Sequence, residues 1–198
     1  ATLNLEYLGP IFYPGVHIIT TKPLTSIKDL QGMKLRAPGA YGKFVANLGA
    51  QPVTMAFSET YSALATGVID GCCSSTLVDY RDGRFYEFAK YFHPVAVTPS
   101  QVTQLVVNRD AWATLSPELQ TITETTNVWH GVQHAVRGNA WTKEAVAEMQ
   151  AGGMEWNTPF GDEDMAIWKN AANALAPEYA QSDEFSKQLI EIQTAFMN

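Results

Sequence analysis

The sequence predicts an α/β fold with a parallel, helix-covered sheet, and residues 33–74 carry most of this prediction. Three short apolar segments in this range have strand character, and two amphipathic segments with helical spacing separate them. The three strands end near Arg36, Phe57 and Ser74. Because ligands bind at the carboxyl ends of strands in open parallel sheets, we expect these three residues to converge at a binding site.

The strand that ends at Arg36 has a clear stop signal. Pro38 cannot continue a central ladder, and Gly39 allows the backbone to turn. A guanidinium at a strand end suits a carboxylate or a phosphate, which it binds through paired N–H donors. From position alone, a structural role explains Arg36 about as well as ligand binding does.

Apolar spacing and capping residues define the helices. Tyr41, Phe44, Val45 and Leu48 recur at the i, i+3, i+4, i+7 spacing of one helix face. Three further helix starts are predicted from residues that commonly cap helices, namely Ser26 with Asp29 three positions later, Ser58 followed by Glu59, and Ser116 followed by Pro117.

The rest of the chain is predicted in outline. Residues 1–16 are apolar and rich in turn signals. Between Ser116 and Gly152 only two glycines interrupt the apolar periodicity, so we expect one helix of about 50 Å, long enough to bridge two lobes. Helices are also expected at 77–90, 162–175 and 183–196, the last two separated by Pro177, and strands at 16–20, 91–97, 102–107 and 154–157.

Composition limits the function classes that fit. The 198 residues are 46% hydrophobic and 17% charged, as in an ordinary globular protein with a sizeable core. A net charge of −7 argues against nucleic acid as a partner, because phosphate binding needs a basic surface. No apolar run approaches the roughly 20 residues of a membrane span, so we expect a protein that does not itself cross a membrane.

The two cysteines, Cys72 and Cys73, are adjacent. Neighbouring side chains on a strand point to opposite faces, which argues against a disulfide between them. We therefore interpret both as small buried thiols. A thiol nucleophile with His93 as its base is the catalytic alternative, but no residue pattern orients His93 toward either cysteine.

Other polar residues give weak signals. His130 and His134 stand four positions apart, a spacing that can bind zinc, but Gly131 follows the first histidine and no third ligand is evident. Tyr80 and its neighbours Arg81 and Asp82 are interpreted as a solvated helix face. We predict no catalytic residues, no metal site and no cofactor, and we expect a protein that is not an enzyme.

Six segments together resemble the solute-binding subunits of tripartite ATP-independent periplasmic (TRAP) transporters, the DctP-like family. They occur in the family's order and with its spacing, and the resemblance extends from about residue 22 onward. The segments are 30–39 (LQGMKLRAPG), 48–53 (LGAQPV), 55–64 (MAFSETYSAL), 66–71 (TGVIDG), 85–91 (FYEFAKY) and 107–120 (VNRDAWATLSPELQ).

The resemblance implies a two-lobed periplasmic binding protein, type II-like, with parallel-sheet lobes and a long helix that spans both. Residues 17–100 would form lobe II with the main carboxylate site. Residues 1–16 and 101–198 would supply the remaining part of lobe I, the hinge strands, the spanning helix and the C-terminal helices; the N-terminal strand–helix units of lobe I would be missing. The implied function is capture of a small organic acid in the periplasm and its delivery to TRAP membrane permease subunits.

The resemblance also assigns the site. Arg36 matches the arginine that binds the ligand carboxylate in the family, and Phe57 matches a pocket-wall position. Ser74 falls where many members place a ligand-contacting asparagine or tryptophan. Three neighbours of these positions complete the predicted ligand-binding set, namely Pro38, Tyr41 and Cys73.

The sequence departs from the family's pattern beside this site. Residues 72–75 read Cys-Cys-Ser-Ser where many members have Gln-Glu-Asn-Pro. The change removes a carboxylate that keto-acid-binding relatives use with a metal ion, which argues against a metal-assisted keto-acid site. No second arginine stands near residues 15–17, which argues against the two-arginine grip of sialic-acid-binding members. Arg36 is therefore expected to be the only charged contact.

Alternatives stay open at this point. Phe57 and Tyr41 fit core positions at least as well as a pocket wall. The second candidate function is that of a ligand-sensing α/β domain of a regulatory system. A cysteine-dependent isomerase or hydrolase is the third.

Overall fold

The structure, a computed structural model, describes residues 3–197. Residues 1, 2 and 198, which the predicted lobe I includes, lie outside the described residues. The strands are β1 (Leu5–Val16), β2 (Ile19–Thr20), β3 (Lys34–Arg36), β4 (Gln51–Val53), β5 (Gly71–Cys72), β6 (Tyr91–Phe92), β7 (Thr98–Asn108) and β8 (Glu155–Trp156). The helices are α1 (Ala40–Asn47), α2 (Thr60–Ala65), α3 (Leu77–Asp82), α4 (Arg109–Ala113), α5 (Pro117–Ala151), α6 (Asp162–Asn173), α7 (Ala176–Ala180) and α8 (Glu184–Met197).

Six of the described strands form one mixed sheet in the order β4-β3-β5-β2-β6-β8. β3 lies parallel between β4 and β5, which confirms the parallel arrangement predicted for residues 33–74. β2 is antiparallel to both β5 and β6, while β8 is parallel to β6. A single strand, β2, therefore runs against the other five, and the carboxyl ends of those five share one edge of the sheet.

Two of the predicted helix starts are confirmed. Ser26 and Asp29 form a capping box around the 3₁₀ turn Ile27–Leu30. Ser116 caps α5, and Pro117 is the first residue of that helix. A proline is tolerated there because the first backbone N–H groups of a helix have no partner within it.

The helix start predicted at Ser58 was wrong. Ser58 lies inside a 3₁₀ turn, Phe57–Glu59, that runs directly into α2. The side chain of Glu59 accepts a hydrogen bond from Ala56 N at 3.0 Å. The turn therefore begins earlier than the serine suggested, because a carboxylate from within the turn binds the backbone at its start.

The sheet has a hydrophobic core on each face, and the adjacent cysteines point into different cores. Cys73 packs with residues of α1 and α6, whereas Cys72 packs with residues of α2, α3 and the end of α5. Both side chains are fully buried free thiols. The prediction of opposite faces is confirmed.

The unit built on this sheet includes residues from beyond position 100. β8 pairs with β6, and Phe160 and Trp168 pack in the same core as Ile18. β8 and α6 therefore pack with the unit that residues 17–100 form. The division of the chain into lobe II at 17–100 and a remainder of lobe I stays a prediction.

β1 and β7 pair antiparallel along their whole length in a separate two-stranded ribbon. The expectation of turns over residues 1–16 was wrong from residue 5 onward. Pro10 and Pro14 suggested turns, but both strands of a two-stranded ribbon are edges, where a residue without an N–H is tolerated. The register shifts at Gly9, whose φ of +133° favours glycine.

α5 is one unbroken helix of 35 residues, about 50 Å long, as predicted. It lies along β1, and its two internal glycines face this strand at short distance. A Cβ atom on Gly131 would lie 2.9 Å from Pro10 O, and one on Gly138 would lie 3.1 Å from Pro14 Cγ. Glycine at both positions therefore permits the close approach.

The remaining predicted elements are present, several of them shorter than expected. The stretch 77–90 contains α3 and a 3₁₀ turn, Phe85–Glu87. The strand predicted at 91–97 is confined to β6, whereas the one at 102–107 is longer and forms part of β7. Pro177 lies in α7, which separates α6 from α8.

Candidate functional site

Arg36, Phe57 and Ser74 converge at one edge of the six-stranded sheet, as the sequence predicted. Arg36 Nη1 donates a hydrogen bond to Ser74 Oγ, and Arg36 Nε donates to Met55 O at 3.3 Å. The central carbon of the guanidinium lies 5.4 Å from the centre of the Phe57 ring. One guanidinium therefore joins the ends of β3, β4 and β5.

Backbone hydrogen bonds hold Arg36 from both sides. Cys73 N donates to Arg36 O at 2.9 Å, and Ala37 N donates to Val53 O at 3.1 Å. The main chain at the end of β3 is thus tied to both neighbouring strands. Its position is set by the sheet, and only the side chain extends to the site.

Arg36 is a buried cation whose protein partners are neutral. The residue is only 7% exposed. Within residues 3–197 its side-chain hydrogen bonds go to a carbonyl and a hydroxyl, and it forms no ion pair. A guanidinium has five N–H donors, so these two bonds leave others available. Because a buried charge is costly unless it is paired, the arrangement favours binding of an anion.

Phe57 stands beside the guanidinium with its ring partly accessible. It is 38% exposed, and its ring centre lies 5.1 Å from that of Phe85, which is buried. A ring in this position offers an apolar wall next to the charged group and adds a cation–π contact. The core interpretation of Phe57 does not fit this exposure.

Ser74 is held by a buried tyrosine, Tyr80, which was predicted on a solvated helix face. Ser74 N and Ser75 N donate to the Tyr80 hydroxyl at 3.2 and 3.1 Å, and that hydroxyl donates to His17 O at 2.9 Å. Tyr80 is fully buried, and burial raises its pKa well above the usual value, which keeps the hydroxyl protonated. The prediction was wrong for Tyr80 because its ring packs into the core with Leu77 and Phe85.

The other three residues of the predicted set have different positions. Pro38 follows Arg36 in the loop and is partly exposed. Tyr41 is half-buried against the core, and its hydroxyl accepts a hydrogen bond from Gln101 Nε2 at 2.9 Å. The Cys73 side chain lies in the core with α1 and α6, so only its backbone adjoins Arg36. Their roles in ligand binding stay predictions.

Cys72 lies directly beneath the site. Its Sγ is 3.5 Å from Ser74 Oγ. Burial raises the pKa of the Cys72 thiol and outweighs Ser74, Tyr80 and Arg36, which act to lower it. The group is therefore a neutral thiol at physiological pH.

His93 is engaged away from both cysteines. Its ring stacks on Phe160 with centres 3.7 Å apart, and its Nδ1 accepts from Val95 N at 3.2 Å. Burial lowers the pKa of His93 to about 4. Among the described residues, the contacts of His93 include neither thiol, so the imagined thiol–imidazole pair does not form.

His130 and His134 are close on α5, with ring centres 4.4 Å apart. Tyr13 and Trp141 pack against the His134 ring. Over residues 3–197, no group of three or more His, Cys, Asp or Glu side chains is arranged to hold a metal ion. In the same residues, no helix combines the length and apolar character of a membrane span.

Comparison with known proteins identifies the family. The family model DctP, bacterial extracellular solute-binding protein, family 7, matches residues 2–183. This chain belongs to that family, which confirms the resemblance drawn from the six sequence segments. The structure is accordingly α/β with the fold of TRAP periplasmic solute-binding proteins.

Three similar proteins show how much of the chain is shared. A monocarboxylate 2-oxoacid-binding periplasmic protein from Nostoc sp. is 29% identical over 176 residues, which cover 88% of this chain and 48% of the relative. A Bordetella pertussis extracytoplasmic solute receptor binding pyroglutamic acid has a TM-score of 0.85 at 20% identity, over 95% of this chain and 62% of that one. A TRAP periplasmic solute-binding protein from Xanthobacter autotrophicus with bound β-D-galacturonate has a TM-score of 0.84 at 19% identity, over 97% of this chain and 63% of that one.

These similarities cover only part of each related protein. The chain spans about half the length of the curated relative and about three fifths of the two solved structures. At identities near 20%, the solved structures show a shared fold.

Proposed function

We propose that this chain is part of an extracytoplasmic solute-binding protein that captures a small organic acid and delivers it to a TRAP membrane permease. The observation that carries the proposal is Arg36, a buried guanidinium without an anionic partner in residues 3–197, at the shared edge of the parallel strands. A carboxylate bound there compensates the charge. Family membership supports the transport role and a periplasmic location.

The proposed ligand is an acid with one carboxylate at Arg36 and a bulkier, less polar body. Phe57 supplies an apolar wall, and Ser74 and the thiol of Cys72 are small, which leaves room beside the guanidinium. The Nostoc relative is named for monocarboxylate 2-oxoacids, and the Bordetella receptor binds pyroglutamic acid. Both ligands carry a carboxylate, which supports the class. A compact keto acid as the best ligand would contradict the bulkier body that we propose.

The proposed mechanism is closure of two lobes around the acid. Lobe II is the unit that contains residues 17–100, and the ribbon with α5 belongs to lobe I and the hinge. The chain passes between ribbon and sheet at Val16 and again at Val97, where Val97 N donates to Val16 O at 2.7 Å. Paired crossings of this kind can act as a hinge.

The exposed surface of the ribbon and α5 supports a second lobe. Its large apolar side chains are far more exposed than is usual for a core-facing element, and apolar surface of this kind marks a contact region. On α5 the most exposed are Val136 at 71% and Val128 at 63%, and on the ribbon Tyr7 and Val102, each at 55%. We propose that the remaining part of lobe I covers this surface in the whole protein.

No catalytic step is part of the proposal. The Cys72 thiol is neutral and buried, and His93 is engaged with Phe160 and Val95. Membership in a solute-binding family supports binding without turnover.

Native mass spectrometry of the full-length protein, followed by a thermal-shift panel, tests the proposal. We expect a co-purified organic acid or a panel acid that raises the melting temperature by mass action. The panel should pair each acid with its amide, which keeps the shape and removes the charge. Stabilisation by amides or by amino alcohols, with no response to any acid, would contradict carboxylate capture.

A further inference from the structure

The Tyr80 hydroxyl occupies the space beneath the loop that carries Ser74. Its ring lies in the apolar core with Cys72, Leu77 and Phe85, and the whole side chain is shielded from solvent. A phenylalanine would fill the same core volume. A buried hydroxyl is costly unless it is bonded, so its retention here needs partners.

Those partners are complete. A tyrosine hydroxyl has one donor and two acceptor sites. It accepts from Ser74 N at 3.2 Å and from Ser75 N at 3.1 Å, and it donates to His17 O at 2.9 Å, with Cys72 O a longer second acceptor at 3.5 Å. The hydroxyl therefore satisfies two backbone N–H groups of the site loop and one carbonyl of the first crossing between ribbon and sheet.

We propose that Tyr80 is a positioning residue that sets the Arg36 guanidinium through Ser74. The Tyr80 hydroxyl holds the Ser74 backbone, and the Ser74 hydroxyl accepts from Arg36 Nη1. The inference deepens the proposed function, on which it rests, by naming what orients the carboxylate-binding group. It also implies that the N–H groups of Ser74 and Ser75 are already hydrogen-bonded. The ligand carboxylate would therefore bind the Arg36 side chain and not these backbone N–H groups.

The same hydroxyl connects the site to the crossing at His17. Val16, next to His17, forms a bridge with Thr76, and its carbonyl accepts from Val97 N at 2.7 Å. The Tyr80 hydroxyl therefore links the Ser74 loop to the segment that joins ribbon and sheet. α3 itself does not need the hydroxyl, because Thr76 and Asp79 cap it independently.

The test is a ligand-free measurement on Arg36 in the full-length protein. Nitrogen-15 NMR of arginine side chains reports rotation about the Cζ–Nε bond, which requires the bond from Nη1 to Ser74 to break. We expect Tyr80→Phe to speed this rotation about fivefold, the factor for one hydrogen bond of about 1 kcal/mol. Ser74→Ala should do the same, and the double variant should be no faster than Ser74→Ala alone.

Tyr61→Phe is the matched control. This substitution also removes a hydroxyl hydrogen bond, the one from Tyr61 to Glu87 at 2.5 Å. Tyr61 is exposed, and its partners are Glu87 and Phe88, away from Ser74. It should leave Arg36 rotation unchanged. A purely structural role for Tyr80 predicts that Tyr80→Phe lowers the melting temperature and leaves Arg36 rotation unchanged. It also fits a double variant whose rotation rate rises by the product of the two single-variant factors.

The outcomes separate this inference from the proposed function. Faster rotation in both single variants supports the positioning role even when no acid in the thermal-shift panel binds. Unchanged rotation in Ser74→Ala overturns it, whether or not Tyr80→Phe folds and whether or not an acid binds. Rotation that is faster in Ser74→Ala but unchanged in a folded Tyr80→Phe overturns it as well.

Discussion

Arg36 and Ser74 lie 38 positions apart in the chain, yet Arg36 Nη1 donates a hydrogen bond to Ser74 Oγ. The parallel register explains the contact. Arg36 pairs with Cys72 across β3 and β5, which places Ser74 just beyond the strand end on the side of the guanidinium. The bond orients a buried cation without neutralising it, and this property supports our proposal that the site binds an anion.

Stability should fall as the pH is lowered, because of His93. Burial lowers its pKa from 6.5 to about 4, and burial also lowers the pKa of the neighbouring His17. Between these pH values the unfolded chain binds protons that the folded chain excludes, so the free energy of unfolding decreases from pH 6.5 toward pH 4. The rings of Phe160 and Trp168 on its other side offer no charge to compensate.

Urea denaturation of wild type and His93→Gln at several pH values measures this contribution. The difference between the two proteins isolates His93 from carboxylates that titrate in the same range. We expect wild type to lose about 1–3 kcal/mol more than the variant between pH 7 and pH 4, a range that allows for solvent screening. Parallel pH profiles would show that His93 does not titrate in this way.

Gly131→Ala should destabilise the packing of α5 on β1. An alanine raises helix propensity by up to about 1 kcal/mol, but its Cβ would meet Pro10 O at 2.9 Å, and a backbone oxygen cannot easily move aside. We expect a net loss of about 1–3 kcal/mol. Thermal denaturation checks it, with Lys143→Ala on the same helix as an exposed control that changes stability by less than about 0.5 kcal/mol. A stabilised Gly131→Ala would mean that helix and strand are farther apart than described.

Neither cysteine should react with thiol reagents in the native protein. Both are fully buried, and burial raises the pKa of each thiol, that of Cys73 most strongly. Because the thiolate is the reactive form, labelling with an aromatic disulfide should be negligible in buffer and complete in guanidinium chloride. Rapid labelling of Cys72 in the folded protein would favour the cysteine-dependent enzyme instead.

The central part of the fold could be predicted because its signals are local. The helix period at Tyr41 to Leu48, the stop after Arg36 and the capping box at Ser26 all depend on residues close in sequence. Parallel strands then place their ends on one edge without further information. The convergence of Arg36, Phe57 and Ser74 follows from that topology alone.

The parts that failed depend on distant residues. The prolines of β1 gave a turn signal, and only pairing with β7 along its length makes that segment a strand. Tyr80 is buried because its ring packs with residues distant in the chain, such as Met149, and its hydroxyl binds His17 O, 63 positions away. Met55 contributes a carbonyl to Arg36, and a backbone acceptor has no signature in the residue type.

Isothermal titration calorimetry of full-length wild type, Arg36→Ala and Lys34→Ala tests the central claim most directly, with the acid found by native mass spectrometry as titrant. Lys34 lies on the same strand and is exposed, so its substitution removes the same charge without touching the site. Removing one partner of a buried ion pair costs about 3–5 kcal/mol. We predict that Arg36→Ala weakens binding by at least about 100-fold while Lys34→Ala stays near wild type. Equal affinity in Arg36→Ala and wild type would contradict the claim that this guanidinium binds the carboxylate.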